Sequence, residues 1–181
     1  RVAKESGADA VKLQKRDNKS LFTDELYNLT YDNKNSYGIT YGEHRERLEF
    51  SKNQFKELIK FSNKIGILLF ATPFDFKSVE LLSSLKMPAY KIATADLTNT
   101  PLQEKIAKWK KPIFLSTGGG LFADITRAVK TISKYNKNLC IMHCTAAYPA
   151  EISELNLNVI TVLKKKYSNY LIGLSDHGNG I

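Results

Sequence analysis

The chain has 181 residues, 27 Lys plus Arg against 18 Asp plus Glu, a formal net charge of +9, and 43% hydrophobic residues. That much apolar material fills a substantial core, which excludes a disordered or fibrous chain, and no apolar run approaches the roughly 20 residues of a membrane span. The lysines are scattered and not interleaved with aromatic residues, so the charge reads as a solvated surface, with neither nucleic acid nor membrane as a partner.

Six short apolar and β-branched runs recur along the chain: Ala10 to Gln14, Ile67 to Thr72, Ala89 to Thr94, Pro112 to Thr117, Leu139 to Thr145 and Leu171 to His177. Between most of them lie stretches of helical period, such as Phe55, Leu58, Ile59 and Ser62, or Ile125, Ala128, Val129 and Ile132. Asp75, Asp124 and Ser153 stand near helix starts, where a short polar side chain caps free amides, and Pro88 and Pro112 mark where helices have ended and strands begin. Apolar strands joined by helices form a parallel sheet covered on both faces. The remaining choice is between a doubly wound open sheet and a barrel.

The polar residues decide it. Lys12 and Gln14, Thr72, Lys91 and Thr94, Ser116 and Thr117, His143 and Thr145, then Ser175, Asp176 and His177 gather toward the C-terminal ends of all six strands. An open sheet concentrates its site at one switch point, whereas a (β/α)8 TIM barrel draws on every strand end. The chain is therefore expected to be an α/β protein covering about six of the eight units of such a barrel. The long polar and aromatic segment from Lys15 to Phe50, with Thr40-Tyr-Gly-Glu43-His44, is expected to cover the barrel mouth with short strands or turns of its own.

Lys12 and Gln14 share strand parity, and Lys91 enters from another strand. Two lysines with hydroxyls from Thr72, Thr94, Ser116 and Ser175 describe a pocket for an anion rich in acceptor oxygens, and a phosphorylated carboxylic acid fits. A Schiff-base aldolase, which needs a neutral lysine, is the alternative in another enzyme class. A module that binds polyanions without catalysis is the alternative outside enzymes. His177, at the end of the last strand, has the chemistry to ligate a divalent cation, while His143, flanked by Met142 and Cys144, reads as structural. Asp96 stands just past a strand end, where a carboxylate serves either as a general base or as a helix cap. Gly118-Gly119-Gly120 lets backbone approach a ligand.

Arg1 to Gly7 lacks the apolar centre of a signal peptide, and Cys140 and Cys144 form neither a CxxC pair nor a disulfide framework. Packed thiols in a reducing cytoplasm are the expectation.

In order along the chain, Gly7-Ala-Asp-Ala-Val-Lys12-Leu-Gln14, Thr72-Pro-Phe-Asp75, Pro88-Ala-Tyr-Lys91-Ile-Ala-Thr-Ala-Asp96-Leu-Thr-Asn99, Lys111-Pro-Ile-Phe-Leu-Ser116-Thr-Gly118, His143-Cys-Thr145, Tyr148-Pro149 and Gly173-Leu-Ser-Asp-His177 resemble the sialic acid synthase family. The resemblance spans essentially the whole chain. It implies a barrel enzyme that condenses phosphoenolpyruvate with an N-acylated amino sugar such as N-acetylmannosamine, using a divalent metal, Mn2+ or Mg2+. It further implies that Lys12, Thr72, Lys91, Thr94, Ser116 and Ser175 hold phosphoenolpyruvate, that Asp96 lies beside the reacting centre, that Gln14 and Tyr148 face the sugar, and that His177 ligates the metal. Legionaminic and pseudaminic acid synthesis belong to the same class.

Three family features have no counterpart in the sequence: the first barrel strand with its acidic residue and Asn-His pair, the strand carrying a second metal histidine, and the C-terminal antifreeze-like domain. Ala146 stands where some members place a polar residue. Residues 1–181 are accordingly expected to be the interior of a longer synthase, homodimeric when whole, and inactive when isolated with barrel edges open.

Overall fold

Each of the six expected runs forms a strand, and within each unit the strands pair in parallel. The computed structural model describes residues 1–179 and divides into two units, Arg1–Met87 and Pro88–Ile181; Gly180 and Ile181, the last two residues of the expected synthase domain, lie outside the described residues.

The first unit runs α1 (Val2–Glu5), β1 (Ala10–Lys15), α2 (Asn18–Leu21), α3 (Asp24–Asn28), α4 (Tyr41–Arg47), α5 (Lys52–Ile65), β2 (Leu68–Pro73) and α6 (Phe76–Ser84). Helix α5 follows from its sequence. Ser51 accepts from the Gln54 amide while the Gln54 side chain accepts from the Ser51 amide, and Gly66 closes the helix at φ 69°, a conformation that favours glycine. Its apolar stripe buries Phe55, and Ile67, Leu69, Ala71, Val79, Leu82 and Met87 are further buried apolar side chains of this unit. Each such large side chain contributes roughly 1.5–3 kcal/mol when fully buried. Asp75 begins α6 as expected, accepting from the Ser78 amide and hydroxyl, both at 2.7 Å.

The segment from Lys15 to Phe50 departs from expectation. It holds the three short helices α2, α3 and α4, and its only strand-like feature is an isolated antiparallel bridge between Thr30 and Thr40. The reason is local capping: Asp17, Thr23 and Thr40 each accept a backbone amide three residues ahead, at Ser20, Leu26 and Glu43.

The second unit runs β3 (Tyr90–Ile92), a 3-10 turn (Thr94–Asp96), α7 (Thr100–Ala107), β4 (Ile113–Ser116), α8 (Phe122–Ser133), β5 (Leu139–Cys144), a 3-10 turn (Ile152–Glu154), α9 (Asn158–Lys166) and β6 (Leu171–Ser175). Tyr90, Ile92, Ile113, Leu115, Leu139 and Ile141 lie on one face of its strands and are buried, as is the α8 stripe of Ile125, Ala128, Val129 and Ile132. The other face carries Lys91, Phe114, Ser116, Met142, Cys144 and Ser175, which the register aligns from strand to strand.

Two strands end two residues short of the sequence reading. β3 stops at Ile92, because Thr94 to Asp96 turn into the 3-10 helix, and β6 stops at Ser175, leaving His177 beyond it. Ser153 lies within a 3-10 turn, and α9 starts five residues later, at Asn158.

Candidate functional site

In the first unit, Lys12 lies opposite Phe70 and Gln14 opposite Thr72, so Lys12, Gln14 and Thr72 share one face of the β1–β2 pair. Thr72 is buried, and its Oγ1 has no hydrogen-bond partner. Hydroxyls left so cost free energy unless a ligand satisfies them.

Gln14 is held from one side: Arg16 Nη2 donates to its Oε1 at 2.8 Å. The Arg16 guanidinium in turn sits 3.8 Å from the centre of the Phe74 ring. Glu49 Oε2 accepts from the Arg16 amide at 3.0 Å and from Lys15 Nζ at 2.9 Å. Burial, then the charge of Arg45, lowers the Arg16 guanidinium from its ordinary value, and Glu49 opposes the change.

Glu43 and His44 serve the segment itself. The Glu43 carboxylate accepts from the Ile39 and Thr40 amides, and buried His44 accepts the Tyr37 amide at Nδ1 with the rings of Tyr31 and Tyr37 against it.

In the second unit, Lys91, Ser116 and Ser175 share a face. Ser116 repeats the pattern of Thr72, being buried with an Oγ that lacks a partner. The Thr94 hydroxyl donates to Cys144 Sγ at 3.7 Å, and the same sulfur lies 3.7 Å from His177 Nδ1. His177 Nδ1 is also 3.0 Å from the Thr145 carbonyl oxygen. A carbonyl only accepts, so Nδ1 is the donor, the tautomer in which a neutral imidazole presents its lone pair at Nε2. Tyr148 stacks on this imidazole, with ring centres 4.3 Å apart.

Asp96 is buried at the end of its 3-10 turn and accepts from Asn99 Nδ2 at 3.0 Å. The cap of α7 is Asn99, which accepts the Leu102 amide, so Asp96 is not spent as a helix cap. Buried Gln103 donates to the backbone oxygens of both Asp96 and Leu97, at 2.8 and 2.7 Å, and thereby pins the turn.

His143, on the face opposite Cys144, donates from Nε2 to the Leu155 carbonyl at 2.6 Å, a structural role. It lines a cleft of about 350 Å3 with Thr117, Gly119, Thr145, Ala146 and others. The polar side chains of that cleft are largely satisfied by backbone: Thr117 donates to Met142 O and Thr145 to Glu154 O.

All 181 residues match the NeuB family. The chain belongs to the NeuB family. The human N-acetylneuraminate-9-phosphate synthase is 36% identical over 181 residues, which is all of this chain and 50% of that protein. The N,N'-diacetyllegionaminic acid synthase of Campylobacter jejuni is 35% identical, over 99% of this chain and 55% of that protein. The NeuB-family chain thus spans about half the length of the curated relatives it matches.

Among solved structures, the N-acetylneuraminic acid synthetase of Leptospira borgpetersenii, in complex with citrate, matches 99% of the NeuB-family chain and 58% of its own at 30% identity and TM-score 0.85. A DAHP synthase of Thermotoga maritima matches at 12% identity and TM-score 0.66, a likeness of fold alone. The fold class is the (β/α) barrel of these synthases, represented here by six strand–helix units.

The side-chain contacts of three residues in this NeuB-family chain, Arg16, Cys144 and Gln103, escaped the sequence reading. Arg16 shares strand parity with Gln14, Cys144 shares parity with Met142, and Gln103 is a polar residue between the apolar Leu102 and Ile106. Those were the available signals. None reveals a partner, because the partners Phe74, Thr94 and Asp96 lie in other elements.

Proposed function

We propose that the complete protein condenses phosphoenolpyruvate with an N-acylated amino sugar, N-acetylmannosamine or a relative, to give a nonulosonic acid and inorganic phosphate. The observation that carries this reading is the pair of buried, unpartnered hydroxyls, Thr72 and Ser116, each on the same strand face as a lysine: Lys12 for Thr72, Lys91 for Ser116. Lysines neutralise a multiply charged anion, and hydroxyls without internal partners have donors to give to its oxygens. Thr94 and Ser175 supply two further hydroxyls, and Gln14 and Tyr148 face the acceptor.

Carbon 3 of phosphoenolpyruvate forms the new bond to the aldehyde carbon of the open-chain sugar, and the carbonyl electron pair moves to its oxygen. Water adds at the cationic carbon 2 that remains, and phosphate leaves with its bridging oxygen as that carbon–oxygen bond breaks. Lys12 and Lys91 hold the phosphate and carboxylate through these steps, and Asp96 takes the proton of the entering water.

The family resemblance implies a divalent cation, Mn2+ or Mg2+. The free Nε2 of His177 fits one coordination position of such an ion, which would supply Lewis-acid stabilisation of the alkoxide. Among the described residues no three His, Cys, Asp or Glu side chains converge to complete a site.

The complete protein is proposed to be a homodimer of the cytoplasm; no helix among the described residues is long and apolar enough to cross a membrane. The test is phosphate release from phosphoenolpyruvate by the full-length protein with N-acetylmannosamine and related acceptors. Release that needs both substrates and stops with chelator is expected. Absence of release with every N-acylated amino sugar overturns the reading.

A further inference from the structure

We infer that Gln103 is a positioning residue for the reaction: its buried side-chain amide locks the 3-10 turn Thr94–Asp96 and so fixes where the Asp96 carboxylate stands. The inference rests on the proposed synthase reaction and on Asp96 as the group that takes the proton of the entering water.

The amide has one possible orientation. Gln103 Nε2 lies 2.8 Å from the Asp96 carbonyl oxygen and 2.7 Å from that of Leu97. A carbonyl only accepts, so both N–H groups of the one nitrogen are given to consecutive residues of the chain. The flipped amide would set an oxygen against two oxygens. One planar group thus holds two successive peptide units at the end of the turn.

Packing alone would not place an amide here. Gln103 is 0% exposed, and its neighbours on α7, Leu102, Ile106 and Ala107, are buried and apolar. Its Oε1 is buried without a hydrogen-bond partner, which costs stability that a leucine or methionine would not. Nor is Gln103 needed to satisfy the Asp96 carbonyl, which also accepts the Asn99 amide at 3.1 Å. What the amide adds is direction.

The turn is held from other sides as well. Asn99 Nδ2 donates to Asp96 Oδ1 at 3.0 Å, and buried Leu97 packs so closely on Gly120 that a Cβ there would fall within its side chain. The Asp96 backbone is therefore restrained by Gln103 and its carboxylate by Asn99. A general base works only within hydrogen-bond reach of the proton it takes, so loosening this turn lowers turnover more than it lowers substrate binding.

The experiment uses the full-length protein and steady-state kinetics with phosphoenolpyruvate and N-acetylmannosamine. Gln103→Met keeps the length of the side chain and removes both donors. It is expected to lower kcat about tenfold while the phosphoenolpyruvate KM stays within about twofold. In an Asp96→Asn background, Gln103→Met adds nothing to the loss in kcat. Thermal unfolding checks that each variant is folded, and Gln103→Leu replaces Gln103→Met if the latter is not. An unchanged kcat in the folded variant, a loss confined to KM, or a full multiplicative effect on top of Asp96→Asn overturns the role of Gln103. Failure of both Gln103→Met and Gln103→Leu to fold also overturns it, since the amide is then a requirement of the fold. No turnover of any acceptor by the wild-type protein overturns the synthase reading, and this inference with it.

Discussion

Gly118 lies directly against Cys144: a Cβ on Gly118 would stand 2.8 Å from the Cys144 carbonyl oxygen and 3.2 Å from its sulfur. The absence of a side chain lets the turn after β4 close onto the end of β5. There the Cys144 sulfur meets both Thr94 and His177.

Gly118→Ala therefore forces backbone apart and moves Cys144 relative to the two side chains it contacts. Urea unfolding should show a loss of about 1–3 kcal/mol, typical of overpacking. Phosphoenolpyruvate binding by the full-length protein should weaken as well. A variant with wild-type stability and affinity would mean the turn relaxes without consequence.

The two buried hydroxyls give the opposite signature. Thr72→Val and Ser116→Ala each remove a polar atom that has no internal partner, so stability without ligand should stay equal or rise by up to about 1 kcal/mol. Phosphoenolpyruvate affinity should fall about tenfold in each, the worth of one charge-assisted hydrogen bond. Thermal unfolding with and without phosphoenolpyruvate separates the two effects. Destabilisation without ligand would show that the hydroxyls are structural.

Asp17 provides a pH-dependent contact at the start of α2. Its carboxylate caps α2, accepting from the Ser20 hydroxyl at 2.6 Å and the Ser20 amide at 3.0 Å, with Lys77 at 3.2 Å. The Ser20 hydroxyl bond, helped by Lys77, holds this carboxyl below its ordinary value. A depressed folded value stabilises the fold above the unfolded value, and that contribution is lost as pH falls through the folded one. Asp17→Ala should cost about 1 kcal/mol at pH 7, with the gap to wild type closing below about pH 4. Most of that is the cap, since the exposed ion pair with Lys77 contributes little. A gap that does not change with pH would contradict the assignment.

The strands were legible because their signal is local. Leu139 to Cys144 reads as a strand from its own side chains, and the polar residues at its end announce which end carries chemistry. Parity alone placed Gln14 with Lys12 on one face, and the β1–β2 register agrees. What was not legible depends on residues distant in sequence. The grip of Arg16 on Gln14 needs Phe74 and Glu49, and the pinning of Asp96 needs a buried glutamine on the next helix. The helices of the 15–50 segment were a different case, since their caps Asp17, Thr23 and Thr40 are local signals that the sequence reading did not single out. The length and polarity of the segment pointed instead to turns, and local capping prevailed.

The central claim is that the strand ends of this chain hold phosphoenolpyruvate by its charges, and the most direct measurement is titration of the full-length protein with phosphoenolpyruvate, wild type against Lys91→Ala. Thermal unfolding of both proteins confirms that the variant is folded. Saturable binding by the wild type, weakened about a hundredfold in Lys91→Ala, is the predicted result, as expected when a charge-assisted contact worth about 3 kcal/mol is removed. Unchanged affinity in the folded variant would contradict the account.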